Sequence, residues 1–509
     1  MVSLGLVDWG LLAALALIAV YSYLAWSFDY WKRKGVPYAR PRLLFGNMKE
    51  FVLGRKSVGR VYQDIYWELD GHPFGGYFKL GQPSLMIRDP DLVKVVSVQE
   101  FPSFHDNDFV VYVHCDPLFG RNPFVLRGEA WKAVRSPLTA GFTVQKVKAW
   151  FLEMVQVSKN MNTYLNTHAP KGPLNCKDMV GSFALDIVAC CAYGLDGTAL
   201  VNPHSEFAEI GRVFLAPSIR QGVEQMIIML FPRLAGFLNI GITKKEVTQF
   251  FQRVMKEAVT YRQKNNVKKN DFLQLLISLK EKSQGKKVVN WYDEFTDDDI
   301  AAHCMTFFFD GYETSSNSLM YTLYELAVNP DVQRKLTEEI VASLEKTNGE
   351  ITYEGILEMK YLDMVFKESV RKYPSVPFIG RICTKPFQLV ASNGLSCRVE
   401  PGTPVLTPTL GIHHDPKYYP EPQRFDPDRF TEENVQKRHR YAFLPFGEGP
   451  RQCLGTRFGE ALVKCGVVSI LAHYEILPTD KTPKELSHSP QAFIFVTDDE
   501  VWLQFRKRS

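Results

Sequence analysis

The stretch from Asp297 to Val328 constrains the fold of this chain more than any other feature of its sequence. Apolar side chains occur nearly all round its helical projection, which predicts a helix that crosses the core. Thr296 is a suitable N-cap, acidic residues fill the first turn, and Pro330 ends the helix. A helix of this length spans roughly 48 Å. The sequence therefore predicts a large helical domain built around it.

Polar residues and a glycine interrupt this helix at its centre, at Asp310, Gly311, Glu313 and Thr314. Such residues are costly in the middle of a buried helix. They either face a cavity or are an accident of packing, and we expect the cavity. Residues four apart share a helix face, so Asp310 and Thr314 should point into the same space.

Most other long segments have helical rather than alternating periodicity. Strand-like pieces are short, at residues 76–89 and 492–505, and the second is predicted to be a hairpin around Thr497–Glu500. We therefore expect a mainly α fold with a small β part. The formal net charge of +4 is too small to indicate a nucleic-acid partner.

The segment Phe443–Gly455, FLPFGEGPRQCLG, contains one cysteine and three glycines. A single cysteine can be a buried hydrophobe, a nucleophile or a metal ligand. Glycines allow a flat, rigid group to approach the backbone. Cys453 precedes a helical pattern that starts at Leu454, whose N-terminus would stabilise a thiolate, and Arg451 can bind an anion. A planar, anionic, metal-bearing ligand held by one thiolate is haem.

The nine cysteines are scattered, and none forms a C-x-x-C pair. Their odd number and their spacing argue against a disulfide framework and against a zinc site. The main domain is therefore expected in a reducing compartment.

The cysteine segment fits F-x-x-G-x-R-x-C-x-G, and in this it resembles the haem-binding signature of the cytochrome P450 monooxygenases. The five fixed positions are Phe446, Gly449, Arg451, Cys453 and Gly455. The resemblance implies the cytochrome P450 fold, haem b as cofactor, and Cys453 as the iron ligand.

Further motifs of the same family occur in its order along the chain. WKAVR resembles the family's helix C motif, which implies that Trp131 and Arg135 bind a haem propionate. IGRICTK implies a third propionate contact from Arg381. DGYETSS resembles the oxygen-binding groove and implies that Glu313 and Thr314 relay protons.

ESVR and FDPDRF resemble the two motifs that build an ion network behind the cysteine loop. They imply that Glu368, Arg371 and Arg429 belong to it and that its role is structural. A glutamate and an arginine at E-x-x-R spacing can also form an exposed ion pair on one helix face, which contributes little to stability. The same spacing occurs at Glu209/Arg212 and Glu421/Arg424.

Asp310 departs from the family pattern, because most members have Ala or Gly four residues before the groove threonine. A carboxylate at an apolar haem face should have a raised pKa or a partner. Three outcomes are open: Asp310 bonds to a water or a backbone donor along the helix, it binds a basic or hydroxylated substrate, or it forms an ester with the haem. We expect the first.

The segment Trp9–Phe28 contains no charged residue and is long enough to span a bilayer of roughly 30 Å. Basic residues follow it and none precedes it, which places the rest of the chain in the cytosol. A cleaved signal peptide is the alternative, and a buried core helix is a third reading. We predict a membrane anchor at 1–30, a basic, proline-containing hinge at 31–45 and a catalytic domain at 46–509, at the endoplasmic reticulum membrane.

The chain resembles the microsomal members of the family, and its sequence is similar to insect enzymes of the detoxification-type branch. It implies that electrons come from an NADPH-dependent flavoprotein reductase, with cytochrome b5 as a second candidate donor. An acidic reductase would dock on basic side chains, although each is equally readable as solvated charge. The candidates are Lys132, Lys146, Lys148, Lys437, Arg438 and Arg440.

The apolar segment Met226–Ile242 indicates lipophilic small-molecule substrates that enter from the bilayer, or else ordinary helix packing. The leading function is a membrane-anchored haem-thiolate monooxygenase. An isomerase or dehydratase of the same fold, which often lacks the acid–alcohol pair, and a non-enzymatic haem sensor are the alternatives.

Overall fold

The structure, a computed structural model of the chain, describes residues 26–202, 204–215, 219–285, 290 and 292–508, together with Leu15 and Ser22. Most of the predicted anchor, Trp9–Phe28, lies outside these residues. Within the described ranges, no helix is both long enough and apolar enough to cross a membrane.

Helices make up most of the described chain, as predicted. The α-helices are α1 (Tyr30–Arg33), α2 (Lys49–Val52), α3 (Val58–Glu68), α4 (Pro90–Lys94), α5 (Gly128–Thr139), α6 (Val144–His168), α7 (Cys176–Tyr193), α8 (Glu206–Leu215), α9 (Ile219–Leu230), α10 (Pro232–Phe237), α11 (Lys245–Lys264), α12 (Phe272–Ser283), α13 (Asp297–Val328), α14 (Pro330–Lys346), α15 (Tyr353–Glu358), α16 (Lys360–Lys372), α17 (Thr409–His413), α18 (Glu432–Lys437) and α19 (Thr456–Leu471).

The chain divides into two compact units, which are described separately. The smaller unit comprises residues 1–108, 377–412 and 490–493, and the larger unit comprises residues 109–376, 413–489 and 494–509.

The predicted long helix is confirmed as α13, with the bounds that the sequence indicated. Thr296 and Asp299 form a capping box: the Thr296 N–H donates to Asp299 Oδ2 at 2.8 Å, and the Asp299 N–H donates to Thr296 Oγ1 at 3.3 Å. Helix α14 starts directly after it at Pro330. Within the larger unit α13 packs most extensively against α7 and also against α11 and α19.

A three-stranded antiparallel sheet belongs to the larger unit, in the order β4 (Leu174–Asn175), β10 (Trp502–Lys507), β9 (Tyr474–Pro478). The predicted hairpin around Thr497–Glu500 is wrong. Only its second half forms a strand, β10, and β10 pairs with β9 instead. The first half is held in place by side chains and backbone, since the Phe495 N–H donates to the Ser375 carbonyl at 2.8 Å.

The smaller unit contains a five-stranded sheet in the order β1 (Phe74–Lys79), β2 (Gln82–Ile87), β8 (Pro404–Thr407), β5 (Ile379–Ile382), β3 (Asp106–Asn107). The segment 76–89, which the sequence predicted to be strand-like, contains most of β1 and all of β2, and the two strands pair as an antiparallel hairpin. Strands β6 (Phe387–Val390) and β7 (Ser396–Val399) form a separate antiparallel pair.

The segment predicted as a hinge packs on this sheet. Trp31 is fully buried, and its indole N–H donates to the Tyr77 carbonyl at 3.2 Å. The Ala39 N–H donates to the Gly76 carbonyl at 2.9 Å. A Cβ at Gly76 would lie 2.3 Å from the Trp31 ring, so the absence of a side chain there is needed for this packing.

Candidate active site

The cysteine loop, residues 443–455, has a backbone that requires glycine at two positions. Gly447 and Gly449 have φ angles of +70° and +79°, in the left-handed region that residues with a Cβ rarely adopt. The Cys453 N–H donates to the Phe446 carbonyl at 2.8 Å, and the Gln452 N–H donates to the Gly449 carbonyl at 3.0 Å. The glycines therefore fix the turn that presents Cys453.

The Cys453 side chain is accessible although protein atoms surround it on all sides. A side chain is both accessible and enclosed by protein when it lines an internal cavity rather than the outer surface. Burial raises the pKa of the Cys453 thiol, while a hydrogen bond with the Gly455 N–H lowers it and the charge of Asp310 raises it further. Cys453 therefore lines an internal cavity of the larger unit.

Helix α19 begins at Thr456 with Gly455 as its N-cap, two residues later than the sequence indicated. Cys453 still lies just before the helix N-terminus. A Cβ at Gly455 would lie 3.9 Å from Cys453 Sγ, so a side chain at this position would contact the sulfur.

Two predicted propionate ligands and the signature arginine lie around the cysteine loop. Arg135, on α5, donates from Nη2 to the Gln452 carbonyl at 2.5 Å. The Arg451 guanidinium lies over the Trp131 ring at 4.3 Å from its centroid. Burial lowers the pKa of Arg135, and the Cys453 sulfur opposes this shift. The structure thus brings Trp131, Arg135 and Arg451 together with Cys453, and the assignment of their ligand stays a prediction.

Arg381 belongs to the smaller unit and lies on β5. Its Nη1 donates to Asn107 Oδ1, and its buried Nε has no hydrogen-bond partner among the described residues. Burial lowers the pKa of this guanidinium to about 10. A buried cation with an unused donor is suited to an anionic ligand.

Asp310, at the middle of α13, is also accessible yet surrounded by protein atoms. Its charge acts on the Cys453 sulfur, so the two side chains lie near each other within the larger unit. Burial raises the pKa of Asp310 to about 6, and a hydrogen bond from the Asn122 side chain opposes the shift. The Phe124 N–H donates to Asn122 Oδ1 at 2.7 Å, which leaves the Asn122 Nδ2 group for Asp310.

The acid and the alcohol of the predicted groove lie on the next turn of α13. Thr314 Oγ1 donates to the backbone carbonyl of Asp310 at 2.5 Å. Glu313 Oε1 accepts from Asn317 Nδ2 at 2.9 Å. Burial raises the pKa of Glu313, while Asn317 and then Lys177 lower it. A carboxyl group with a raised pKa is suited to giving and taking a proton near neutral pH.

Gly311 faces the neighbouring helix. A Cβ at Gly311 would lie 3.4 Å from both Val188 of α7 and Phe307 of α13. These are ordinary van der Waals distances, so Gly311 lies in the contact between α13 and α7, which is the most extensive helix contact of the larger unit.

Glu368, Arg371 and Arg429 form one buried ion network. Arg371 binds Glu368 with two hydrogen bonds, of 2.6 Å from Nε and 2.7 Å from Nη2, and both side chains are fully buried. Arg429 Nε lies 3.4 Å from Glu368 Oε1. Burial raises the pKa of Glu368, and Arg371 is the strongest opposing influence.

His413 connects this network to the cysteine loop, and sequence reasoning missed it. Its Nε2 accepts from the Leu444 N–H at 2.8 Å, so its Nδ1 carries the proton and donates to the Arg371 carbonyl at 3.1 Å. In return, Arg371 Nη1 donates to the His413 carbonyl at 3.0 Å. No local motif marks this histidine, because its partners lie about 30 and 40 residues away.

The predicted docking cations differ in their environments. Arg438 is half-buried between Tyr419 and Phe430, at 4.7 and 4.6 Å from the two ring centroids, and burial lowers its pKa. It also donates to the Arg429 carbonyl at 3.0 Å, so it supports the ion network. Lys148 forms an ion pair with Glu354.

The residues around Cys453 fit a haem bound through a thiolate. The cysteine loop has the glycine geometry that lets a flat group approach, its cysteine lines an enclosed cavity, and guanidinium groups lie beside it. This fold and these residues define the class of helical haem-thiolate proteins.

Comparison with known proteins agrees with that class. The family model described as Cytochrome P450 matches residues 36–501. The chain is 36% identical to Cytochrome P450 6k1 of Blattella germanica over 507 residues, which is 97% of this chain and 96% of that protein. It is 37% identical to Probable cytochrome P450 6a13 of Drosophila melanogaster over 489 residues, with 96% of each chain covered. It is 34% identical to Cytochrome P450 9e2 of Blattella germanica over 524 residues, with 97% of each covered.

The chain therefore belongs to the cytochrome P450 family. The resemblance inferred from the sequence is confirmed, including its likeness to insect members. As a member of this family the protein is a monooxygenase of the oxidoreductase class and binds haem b through a cysteine thiolate.

Proposed function

We propose that the protein is a membrane-bound monooxygenase in which Cys453 is the haem ligand and a lipophilic small molecule is the substrate. The observation that carries the proposal is that Cys453, in its glycine-shaped loop, and Asp310, from a distant segment, lie near each other and are both accessible although protein surrounds them. Haem held by a thiolate supplies the cleavage of dioxygen and the transfer of one oxygen atom to the substrate.

The chain's own groups hold the cofactor and move protons. Arg135, Trp131 and Arg451, with Arg381 as a further contact, are proposed to bind the haem propionates. Thr314 can release its hydroxyl from the Asp310 carbonyl and donate into the cavity. Glu313 is proposed to resupply the proton to Thr314 through water, because burial raises its pKa and so favours the protonated form that can donate.

The ion network is proposed to position Cys453 without taking part in the reaction. Glu368 and Arg371 hold His413, and His413 holds the backbone of the cysteine loop at Leu444. A rigid support of this kind keeps the thiolate in place as the cofactor binds.

We further propose that electrons come from an NADPH-dependent flavoprotein reductase, with cytochrome b5 as a second donor, at the endoplasmic reticulum membrane. Four of the basic side chains are exposed, whereas Lys146 and Arg438 are half-buried, which supports a docking role for the exposed four: Lys132, Lys148, Lys437 and Arg440. The uncharged segment Trp9–Phe28 supports an N-terminal anchor with a cytosolic catalytic domain.

The sequence left two interpretations of Met226–Ile242 open, ordinary helix packing and contact with lipophilic substrates and the bilayer, and the segment has features of each. Ile228 and Ala235 pack into a buried cluster with Val111 and Val125, whereas Phe237 is 86% exposed. An exposed phenylalanine on a segment that also packs on the body supports contact with a lipid surface and with apolar substrates.

Reconstitution of the purified protein with reductase, NADPH and a panel of lipophilic compounds tests this function. We expect product that carries one oxygen atom from labelled dioxygen and that depends on the reductase. Product formed from organic peroxides without reductase or dioxygen would instead identify an isomerase or dehydratase. A protein that binds haem but turns over none of the compounds, whichever electron donor is supplied, would be identified as a sensor.

A further inference from the structure

Asp310 has fewer partners than Asp271 and Asp116, two buried carboxylates of the larger unit. Asp271 is bound by both terminal nitrogens of Arg262, at 2.8 and 2.5 Å. Asp116 accepts three backbone N–H groups, at 2.8, 3.1 and 2.7 Å. Asp310 receives one amide, that of Asn122, and its carboxyl group remains accessible in the cavity. A carboxylate has about four acceptor sites, so Asp310 has acceptor capacity to spare.

A second observation on the same helix face points to a ligand. Thr306 lies one turn before Asp310, on the same side of α13. Its buried hydroxyl has no hydrogen-bond partner in the part of the chain that the structure describes. Buried polar atoms are nearly always paired, so an unused hydroxyl and an under-used carboxylate on adjacent turns form an unusually polar strip on this face of α13.

The surroundings of this strip are aromatic. Phe309, next to Asp310, stacks on Phe214 with ring centroids 3.3 Å apart. Phe307 contacts Phe142 and Phe272, at 5.5 and 5.0 Å between centroids. An apolar site with one convergent acceptor binds a mostly apolar molecule and orients it by one polar group.

We propose that Asp310, held in place by Asn122, is a hydrogen-bond acceptor that selects lipophilic substrates carrying a hydroxyl or amino group. This inference rests on the proposed function, because it assigns the substrate class of the same cavity. Asn122 acts as a positioning residue, since its Oδ1 is fixed by the Phe124 N–H and only its Nδ2 group is left to hold Asp310.

The expected specificity follows from hydrogen-bond chemistry. A hydroxyl group donates to the carboxylate, whereas the corresponding methyl ether is of similar shape but has no donor. A hydrogen bond to a charged group is worth enough to separate the two affinities by roughly ten- to a hundredfold. An ether would also leave the carboxylate unsatisfied, which adds to the discrimination.

The test compares a long-chain 4-alkylphenol with its methyl ether on the haem-loaded, full-length protein, with dissociation constants measured by calorimetry. We expect the parent to bind the phenol at least about tenfold more tightly. In Asp310→Asn the new amide oxygen accepts from Asn122, so its NH₂ group faces the cavity and the preference should shift towards the ether. In Asp310→Ala the two affinities should become equal.

Asp298→Asn is the matched control, because Asp298 is a carboxylate at the start of the same helix whose Oδ1 accepts from the Gln252 amide at 2.9 Å. We expect it to keep the parent's preference for the phenol. Asn122→Ala should reduce the preference, and Asn122→Asp should reduce it further by placing a second carboxylate beside Asp310.

The proposal is overturned if the ratio of the dissociation constants of the phenol and the ether is the same in the parent, Asp310→Asn and Asp310→Ala. Haem that resists acid–organic extraction in the parent but not in Asp310→Ala would also overturn it, because the carboxylate would then be an ester. The Soret band of the reduced carbon monoxide complex is recorded for every variant. A normal thiolate-type band with no selectivity refutes the subsite alone, whereas an abnormal band in the parent refutes the proposed function.

Discussion

The hydroxyl of Thr314 donates a hydrogen bond to the backbone carbonyl of Asp310 at 2.5 Å. The bond holds the hydroxyl one turn back along α13 instead of leaving it free in the cavity. Use of this proton by the reaction therefore requires a rotation of the Thr314 side chain. A helical threonine has two common rotamers, one of which places its hydroxyl against the carbonyl four residues earlier, so this rotation is an ordinary one.

Thr314→Ala should retain haem and bind substrate, but a larger share of the electrons from NADPH should appear as hydrogen peroxide. Without the hydroxyl, proton delivery at the cavity is misdirected. NADPH consumption, peroxide and product are measured together. Ser318→Ala is the control, since this hydroxyl lies one turn further on and donates to the Thr314 carbonyl at 2.8 Å. Equal coupling in Thr314→Ala and the parent would remove Thr314 from the relay.

Cys453→Ser should lose the red-shifted Soret band of the reduced carbon monoxide complex, because an alcohol does not replace a thiolate as ligand. Cys465→Ser is the matched control. Cys465 is fully buried, and its sulfur lies 3.2 Å from Ser158 Oγ, far along α19 from the loop. The control should keep the band, and identical spectra for the two variants would show that another residue binds the iron.

The ion network predicts a large difference between two arginines with the same sequence spacing. Arg371→Leu removes two of the hydrogen bonds of the buried Glu368, leaves it with Arg429 and the Asp426 N–H, and should lower the free energy of unfolding by about 3–5 kcal/mol. Arg212→Leu breaks the exposed pair with Glu209, 2.8 Å long, and should cost less than about 1 kcal/mol. Urea unfolding of both variants measures the difference. Similar losses would contradict the structural role of the network.

The sequence predicted those parts of the structure that depend on local patterns. Helix α13 has its predicted bounds because its cap, its first-turn acids and Pro330 are all encoded within a few residues. The hairpin around Thr497 was wrong because β10 pairs with β9, which is about 30 residues away, and alternation alone does not identify a partner strand.

The contacts that organise the candidate site were beyond sequence reasoning for the same reason. Motifs identified Cys453, Arg371 and Arg429, but not His413, which connects the ion network to the cysteine loop. Asn122, the partner of Asp310, lies in a loop with no motif. Such residues act through long-range hydrogen bonds, and their amino-acid types carry no periodic signal.

Removal of residues Met1–Phe28 should release the protein from membranes and leave the haem spectrum unchanged, if the uncharged segment is the anchor. Sedimentation of membranes from cells that express the two forms measures this. Residual binding that high salt or mild detergent removes is consistent with peripheral attachment through the exposed Phe237. A truncated form that only strong detergent extracts would contradict a single anchor.

His303 on α13 should make the protein less stable in mild acid. Its ring is 1% exposed and stacks on Phe295, with no hydrogen-bond partner for either nitrogen among the residues that the structure describes. Burial lowers the pKa of His303 to about 3, and the nearby Arg121 contributes to the shift. The unfolded chain then binds a proton near pH 6.5 that the folded chain does not bind.

Because the pKa of His303 is lower in the folded state, its stabilising contribution is complete above about pH 6.5 and is lost as the pH falls towards 3. The loss should reach about 2 kcal/mol at pH 5. His303→Phe removes the titrating group and should flatten the decrease in unfolding free energy between pH 7 and 5 by that amount. His204→Asn, at an exposed position, is the control for the loss of one imidazole. If urea unfolding gives the parent and His303→Phe the same pH dependence, the folded protein accepts a proton at His303, and the ring is not held neutral by burial.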